Sequence, residues 1–273
     1  MTWSWSGASS PGTPGRPNED WLGATPDVVV VLDGVSAPRN DTGCRHGTPW
    51  FVRGLGSHIL AQASDPEQTL PEVLGVAISA VAMRHRDTCD LAHPGTPSAA
   101  VALVRQTSHV VEYFVLADTV VLVDTAQGLT VVTDPRVEDV VQDERATALS
   151  HPIGTDAHTH ALQAMIEKQR LLRNQPGGYW VAQNDPVAAE HAVTGTVPID
   201  TVRGGAALSD GVGRLVDLFG KESWDSLYAS MHRDGVVTIV EQVRELEQGD
   251  PDGLIWPRYK TSDDATAMLW TLG

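Results

Sequence analysis

The chain has 273 residues, 41% of them hydrophobic and 20% charged, with a formal net charge of −16 at pH 7. That balance disfavours non-specific contact with nucleic acid or anionic lipid, and no apolar run approaches the length of a bilayer span. The two cysteines, Cys44 and Cys89, lack CxxC spacing, so the sequence suggests a reduced cytoplasmic setting with neither a disulfide framework nor a structural zinc site.

The polar start carries no signal segment, and Ser6 to Pro17, rich in Gly, Pro and Ser, reads as loop, so residues 1–17 are expected to be a flexible lead. Val28 to Leu32 is a buried strand by its β-branched content. Thr48-Pro49 reads as a helix start, Thr as N-cap and Pro at the first helical position, feeding Trp50 to Ala63. Thr69-Leu70-Pro71-Glu72 opens a second helix whose apolar residues, from Val73 to Ala82, recur at helical spacing. The period then changes. Ala99 to Arg105, Val110 to Leu116, Val120 to Asp124 and Leu129 to Thr133 are short β-branched runs, as in an antiparallel meander.

Helical character returns from Thr159 to Arg173, and Asp185-Pro186 opens a short helix through His191. Ser223 to Arg233 and Val236 to Glu247 are helical, Asp250-Pro251-Asp252-Gly253 is a turn, and Ala265 to Thr271 is the last strand. This order reads as α+β. Acidic motifs at both ends argue for one domain over 18–273.

Those motifs are Asn18-Glu19-Asp20, Leu32-Asp33-Gly34, Leu208-Ser209-Asp210-Gly211 and Asp263-Asp264-Ala265-Thr266. Each adjoins an apolar run, so a folded sheet would gather carboxylates at its strand ends, and such a cluster repels itself unless a cation lies within it. Hard oxygen donors suit Mg²⁺ or Mn²⁺, and glycine after Asp33 permits close backbone approach. Singly each motif is an ordinary turn or cap; the ordered combination is far more specific.

That order and spelling resemble the metal-dependent protein phosphatases of the protein phosphatase 2C type, as found in bacteria, over Asn18 to Leu272. Gly95-Thr96-Pro97-Ser98-Ala99-Ala100 and Leu116-Ala117-Asp118-Thr119 resemble two further family segments. The resemblance implies a four-layer α/β/β/α sandwich of two antiparallel sheets flanked by helices, with two Mn²⁺ or Mg²⁺ ions at one end. It implies that Asp33 bridges both ions, that the Gly34 carbonyl binds one, and that Asp210 and Asp263 hold the other. Glu19 and Asp20 would act through coordinated water, Asp264 would support the ligands, and Asp118 with Asp210 would form a looser third site. The implied activity is phosphomonoester hydrolysis by a metal-bridging hydroxide, first on phosphoserine or phosphothreonine in a protein. A small phosphorylated metabolite as substrate, or an inactive binding module, are the alternatives.

The chain departs from the family pattern at three points. The phosphate-gripping Arg would fall at Gly15, with Arg16 one step nearer the Glu; Val35 stands where some members carry a His; and Ala117 replaces a Gly. Nothing between Asp118 and Asp210 matches a family spelling. Within that interval, Arg170 to Trp180 reads as a basic helix end, a Gly turn and a packed Tyr-Trp strand in preference to a substrate-binding loop. His151, His158 and His160 lack the partners of a zinc site, and His46 near Cys44 is read as packing in preference to half of a nucleophilic pair.

Overall fold

The computed structural model describes residues 3–35 and 42–273. Among these, strands pair into two antiparallel five-stranded sheets. The first runs β1 (Trp3–Ser10), β10 (Ala265–Leu272), β9 (Val202–Leu208), β6 (Val120–Thr125) and β7 (Gly128–Val132). The second runs β2 (Trp21–Ala24), β3 (Val28–Gly34), β4 (Ala99–Gln106), β5 (Val110–Leu116) and β8 (Val193–Pro198). The α-helices are α1 (Thr48–Ala63), α2 (Leu70–His85), α3 (Arg136–Asp139), α4 (Gln142–Leu149), α5 (Asp156–Leu172), α6 (Asp210–Asp217), α7 (Trp224–Asp234) and α8 (Val236–Gly249).

Strand alternation sorts the buried residues into layers. On β3, Val28, Val30 and Leu32 join Leu103, Phe114 and the apolar faces of α1 and α2, whereas Val29 and Val31 face the other sheet beside Val121, Val123, Met268 and Trp270. On the far side Leu122, Leu208, Ala265 and Ala267 pack on α6, α7 and α8. The result is the α/β/β/α sandwich. Because β3 is buried on both faces, it reads as an unbroken Val-Val-Val-Val-Leu run. Each of those side chains contributes roughly 1.5–3 kcal/mol by leaving water.

Several elements differ from the sequence reading. The expected flexible lead is ordered as strand over Trp3–Ser10, because β10 supplies its register: Ser4 and Ser9 share side-chain hydrogen bonds with Thr271 and Thr266, and Trp3 packs edge-on against Trp270. The stretch from residue 11 to 17 does remain outside regular structure. Thr48 is the first residue of α1 and not its cap; Gly47 precedes the helix in a left-handed conformation, while the Thr48 hydroxyl donates to the Val35 carbonyl at 3.3 Å. At α2 the capping box of Thr69 and Glu72 is present.

The four middle strands do not form one meander. β4 and β5 belong to one sheet, β6 and β7 to the other, and the chain crosses between sheets at residues 117–119. Ala117 makes that crossing at φ 66°, a left-handed conformation that suits glycine. Strands β2 and β8, both at a sheet edge, are additions that period and propensity did not signal.

Candidate metal centre

The sandwich brings the acidic motifs to one end. Asp33 lies near the end of β3, Asp118 on the crossing from β5 to β6, Asp210 at the first turn of α6 and Asp263 just before β10. The Asp210 backbone N–H donates to Asp33 Oδ2 at 3.2 Å, joining residues 177 apart in sequence. The two Asp-Gly glycines are there for approach. A β-carbon on Gly34 would stand 2.2 Å from the Glu19 carbonyl oxygen, and one on Gly211 would stand 2.0 Å from that of Asp264. Both motifs are thus contacts between distant segments, not isolated turns.

Electrostatics separates the carboxylates into two groups. Burial, followed by repulsion from Asp210, Asp20 and Asp118, pushes Asp33 well above the usual carboxylate range. Burial and Asp210 push Asp118 up to about 7. Asp210 is likewise raised by burial and by Asp263, with Arg214 and Lys260 offsetting part of the rise. Asp20 is pushed up to about 8, again by burial, although the Thr266 and Ser209 hydroxyls temper it. One Asp20 oxygen, Oδ2, is buried without a hydrogen-bond partner.

Asp263 is the exception. Burial opposes its ionisation, but Lys260 and Arg214 hold it below the ordinary range. Arg214 Nη2 reaches Asp263 Oδ2 at 2.5 Å and its other nitrogen reaches Glu247 at 2.9 Å, while the Lys260 ammonium contacts Asp263 Oδ1. Asp264 turns away to hold backbone, accepting from the Gly12 N–H at 2.7 Å and the Glu19 N–H at 2.6 Å. Arg214 and Lys260 had no role in the sequence reading. Their signals were only spacing, four residues after Asp210 and three before Asp263.

Among the described residues, a cleft and a groove reach the cluster. A cleft of about 730 Å³ is lined by Arg16, Glu19, Cys44, His46, Lys260 and Asp263, among others. A groove of about 410 Å³ reaches Asp118 and Asp210 past Glu138, Arg145 and Tyr259. Arg16, exposed, therefore shares a cleft with Glu19 and Asp263.

The carboxylates suit a divalent cation. An unpartnered buried oxygen and several anions held above their range are stabilised by positive charge, and the chain's own cations, Arg214 and Lys260, are engaged by Asp263 and Glu247. The aspartates do not close into a tight cage. Among the described residues, the one set of three or more His, Cys, Asp or Glu donor atoms all within 4.8 Å of one another is Cys44, His46, His85 and Cys89. Ions among the aspartates would keep several waters, as Mg²⁺ and Mn²⁺ do.

The other sequence candidates resolve simply. His158 is buried with Nε2 3.3 Å from the Arg258 carbonyl, and the three histidines of that region do not converge as a ligand group. Arg173 donates to the Tyr179 hydroxyl and the Pro94 carbonyl, Tyr179 and Trp180 are buried, and Gly178 passes too close to Leu172 for a side chain. The Gly turn and the packed Tyr179 and Trp180 are as the plainer reading expected, but Tyr179 makes an isolated bridge to Arg173 in place of a strand.

No family model and no curated protein matches the chain. Solved structures do. The serine/threonine phosphatase PstP of Mycobacterium tuberculosis superposes with a TM-score of 0.62 at 14% identity, covering 100% of this chain and 99% of its own. The catalytic domain of PstP in complex with two manganese ions gives 0.56 at 13% identity, covering 99% and 98%. The PPM Ser-Thr phosphatase MsPP of Mycobacterium smegmatis, in complex with cacodylate, gives 0.53 at 18% identity, covering 99% and 98%. The chain has the fold of the PPM-type serine/threonine phosphatases over essentially its whole length.

Proposed function

We propose that this chain is a Mn²⁺- or Mg²⁺-dependent phosphomonoesterase of the PPM type, acting on phosphoserine or phosphothreonine in a protein. The observation that carries the reading is the meeting of Asp33, Asp118 and Asp210, with the buried Asp20, at the end of a PPM-type sandwich, all held above their ordinary range. In this reading Asp33, the Gly34 carbonyl, Asp210 and Asp263 would hold two ions, Glu19 and Asp20 would support them through water, and Asp118 with Asp210 would offer a third place. Bound there, divalent cations supply Lewis acidity toward the phosphoryl oxygens and lower the pKa of coordinated water.

The chain's own residues then orient and screen. Arg16 is the cleft's candidate phosphate grip, its planar guanidinium suited to two parallel hydrogen bonds. Val35 after Gly34 has no proton to give, so that position supplies no general acid to the leaving group. Asp264, by fixing the Gly12 and Glu19 amides, ties the segment bearing Arg16 to the Asp263 wall. A cytoplasmic setting accompanies the proposal; no helix among the described residues is long and apolar enough to cross a membrane.

A second reading rests on one observation. The Lys260 ammonium already sits on Asp263, as a resident cation would in an inactive phosphate-binding module. Turnover of p-nitrophenyl phosphate with Mn²⁺ separates the two. The enzyme reading expects metal-dependent hydrolysis that disappears in Asp33→Ala and falls steeply in Asp210→Asn; metal binding without turnover would establish the inactive module. Comparison of phosphopeptides with a panel of phosphorylated metabolites then assigns the substrate, and preference for metabolites would overturn the protein-phosphatase assignment.

A further inference from the structure

We propose that Cys44, His46, His85 and Cys89 form a tetrahedral Cys₂His₂ site for a structural zinc ion. The proposal goes beyond the phosphatase reading and does not rest on it.

The four residues come from two segments that the fold brings together. Cys44 and His46 lie in the loop ahead of α1, His85 ends α2, and Cys89 follows it by four residues. Their donor atoms all lie within 4.8 Å of one another. His46 Nδ1 stands 3.6 Å from Cys44 Sγ and 3.3 Å from Cys89 Sγ, and His85 Nδ1 stands 3.5 Å from Cys44 Sγ. With Zn–S of about 2.3 Å and Zn–N of about 2.0–2.1 Å, ligands at the tetrahedral angle place sulfur and nitrogen ~3.6 Å apart. The side chains are therefore spaced for an ion at their centre. Two sulfurs with two imidazoles is a donor set that selects zinc among the common divalent ions.

The surroundings support the ligands. Burial pushes the Cys44 thiol up in the metal-free chain, and the His46 backbone N–H, donating to Cys44 Sγ at 3.4 Å, offsets part of that rise. Trp50 stacks on the His46 ring at 4.3 Å and lies against the His85 ring at 5.0 Å, fixing both imidazoles. Gly43, at φ 62°, turns the loop so that its carbonyl accepts from the Asp90 N–H at 2.8 Å, locking the Cys44 side to the Cys89 side. Two thiolates and Zn²⁺ sum to zero charge, which suits a site where His85 is buried and the other three ligands half-buried. A disulfide between the cysteines would leave both imidazoles without a purpose at the same point.

Binding releases the two thiol protons and breaks no other bond. Its structural effect is to pin the loop before α1 to the end of α2. Because Cys44, Arg45 and His46 line the same cleft as Arg16 and Glu19, zinc would brace one wall of the candidate active site.

The test uses the full chain purified under reducing conditions without chelator. Elemental analysis is expected to give one zinc per chain, retained in the Asp33→Ala/Asp210→Asn double variant, which removes the aspartate centre as an alternative host. Cobalt added to the chelator-stripped protein should give the intense visible bands and sulfur-to-metal charge transfer of tetrahedral S₂N₂ coordination. Cys89→Ser and His46→Gln should each weaken zinc binding by more than ~100-fold, since losing an outer hydrogen-bond partner alone costs roughly 10–100-fold. Both are partly exposed, so circular dichroism can establish that they fold. Absence of stoichiometric zinc with both thiols free, a Cys44–Cys89 disulfide in the reduced preparation, or cobalt bands unchanged in Cys89→Ser would each overturn the proposal.

Discussion

Replacing Asp118 by Asn is expected to stabilise the metal-free protein at about pH 8 and to leave it unchanged at about pH 4. The wild-type carboxyl is pushed from its ordinary 3.8 up to about 7 by burial and by Asp210, roughly three decades of proton affinity. Each decade is worth ~1.4 kcal/mol, which sets an upper bound of ~4 kcal/mol. Asp118 keeps part of its surface open to solvent, so the expected gain is ~1–3 kcal/mol. The sign follows from linkage: a group whose folded-state pKa is raised gives its full stability below the unfolded pKa, near 4, and loses it as pH rises through about 7. Asn carries no charge and escapes that loss. Urea unfolding of chelator-treated wild type and variant at the two pH values measures the difference. Saturating Mn²⁺ should reverse the order at pH 8, because only the wild type offers the ion this carboxylate. A variant no more stable than wild type at pH 8, or a gain equally large at pH 4, would refute the claim that the acidic centre is strained without a cation.

Other expectations concern the scaffold. Glu247, fully buried, accepts from Arg214, Arg244 and the Asp263 amide, so Glu247→Gln leaves two guanidinium groups short of charge and should cost ~3–5 kcal/mol in urea unfolding. Ala117→Gly should raise stability by about 1 kcal/mol, because φ 66° penalises a β-carbon more than the added chain entropy of glycine; thermal melting checks it, and a loss would mean that the left-handed crossing is unstrained. Burial opposes ionisation of Asp250, yet the Trp256, Ile255 and Leu254 amides and the Arg258 guanidinium bring it down to about 2. Its contribution is present above about pH 4 and is lost as pH falls through about 2, so acid unfolding of Asp250→Asn should begin from a less stable protein and show a shallower pH slope in that window.

The aspartate centre was legible in sequence because its parts are short and local: an acid at a strand end, a glycine beside it, repeated in a fixed order. The edge strands β1, β2 and β8 were not. β1 is a run of Trp, Ser, Gly and Ala whose pairing energy comes from β10, and its order is invisible until that partner, at the other end of the chain, is in place. Strand β8 depends in the same way on β5.

The Cys and His tetrad makes the contrast plainest. Sequence spacing argued against a zinc site, since Cys44 and Cys89 are 45 positions apart and lack CxxC spacing. Only the packing of α1 against α2 brings the two pairs to one point. Sequence by itself determined the periods of most core strands and helices, the burial of β3 and which acidic residues stand at the strand ends, because hydrophobic period and turn chemistry act over a few residues. Tertiary structure decided which charges are neutralised and which are left waiting. Lys260 and Arg214 reach Asp263 but pair with neither Asp33 nor Asp118, and that division depends on distances in space, which spacing along the chain does not encode.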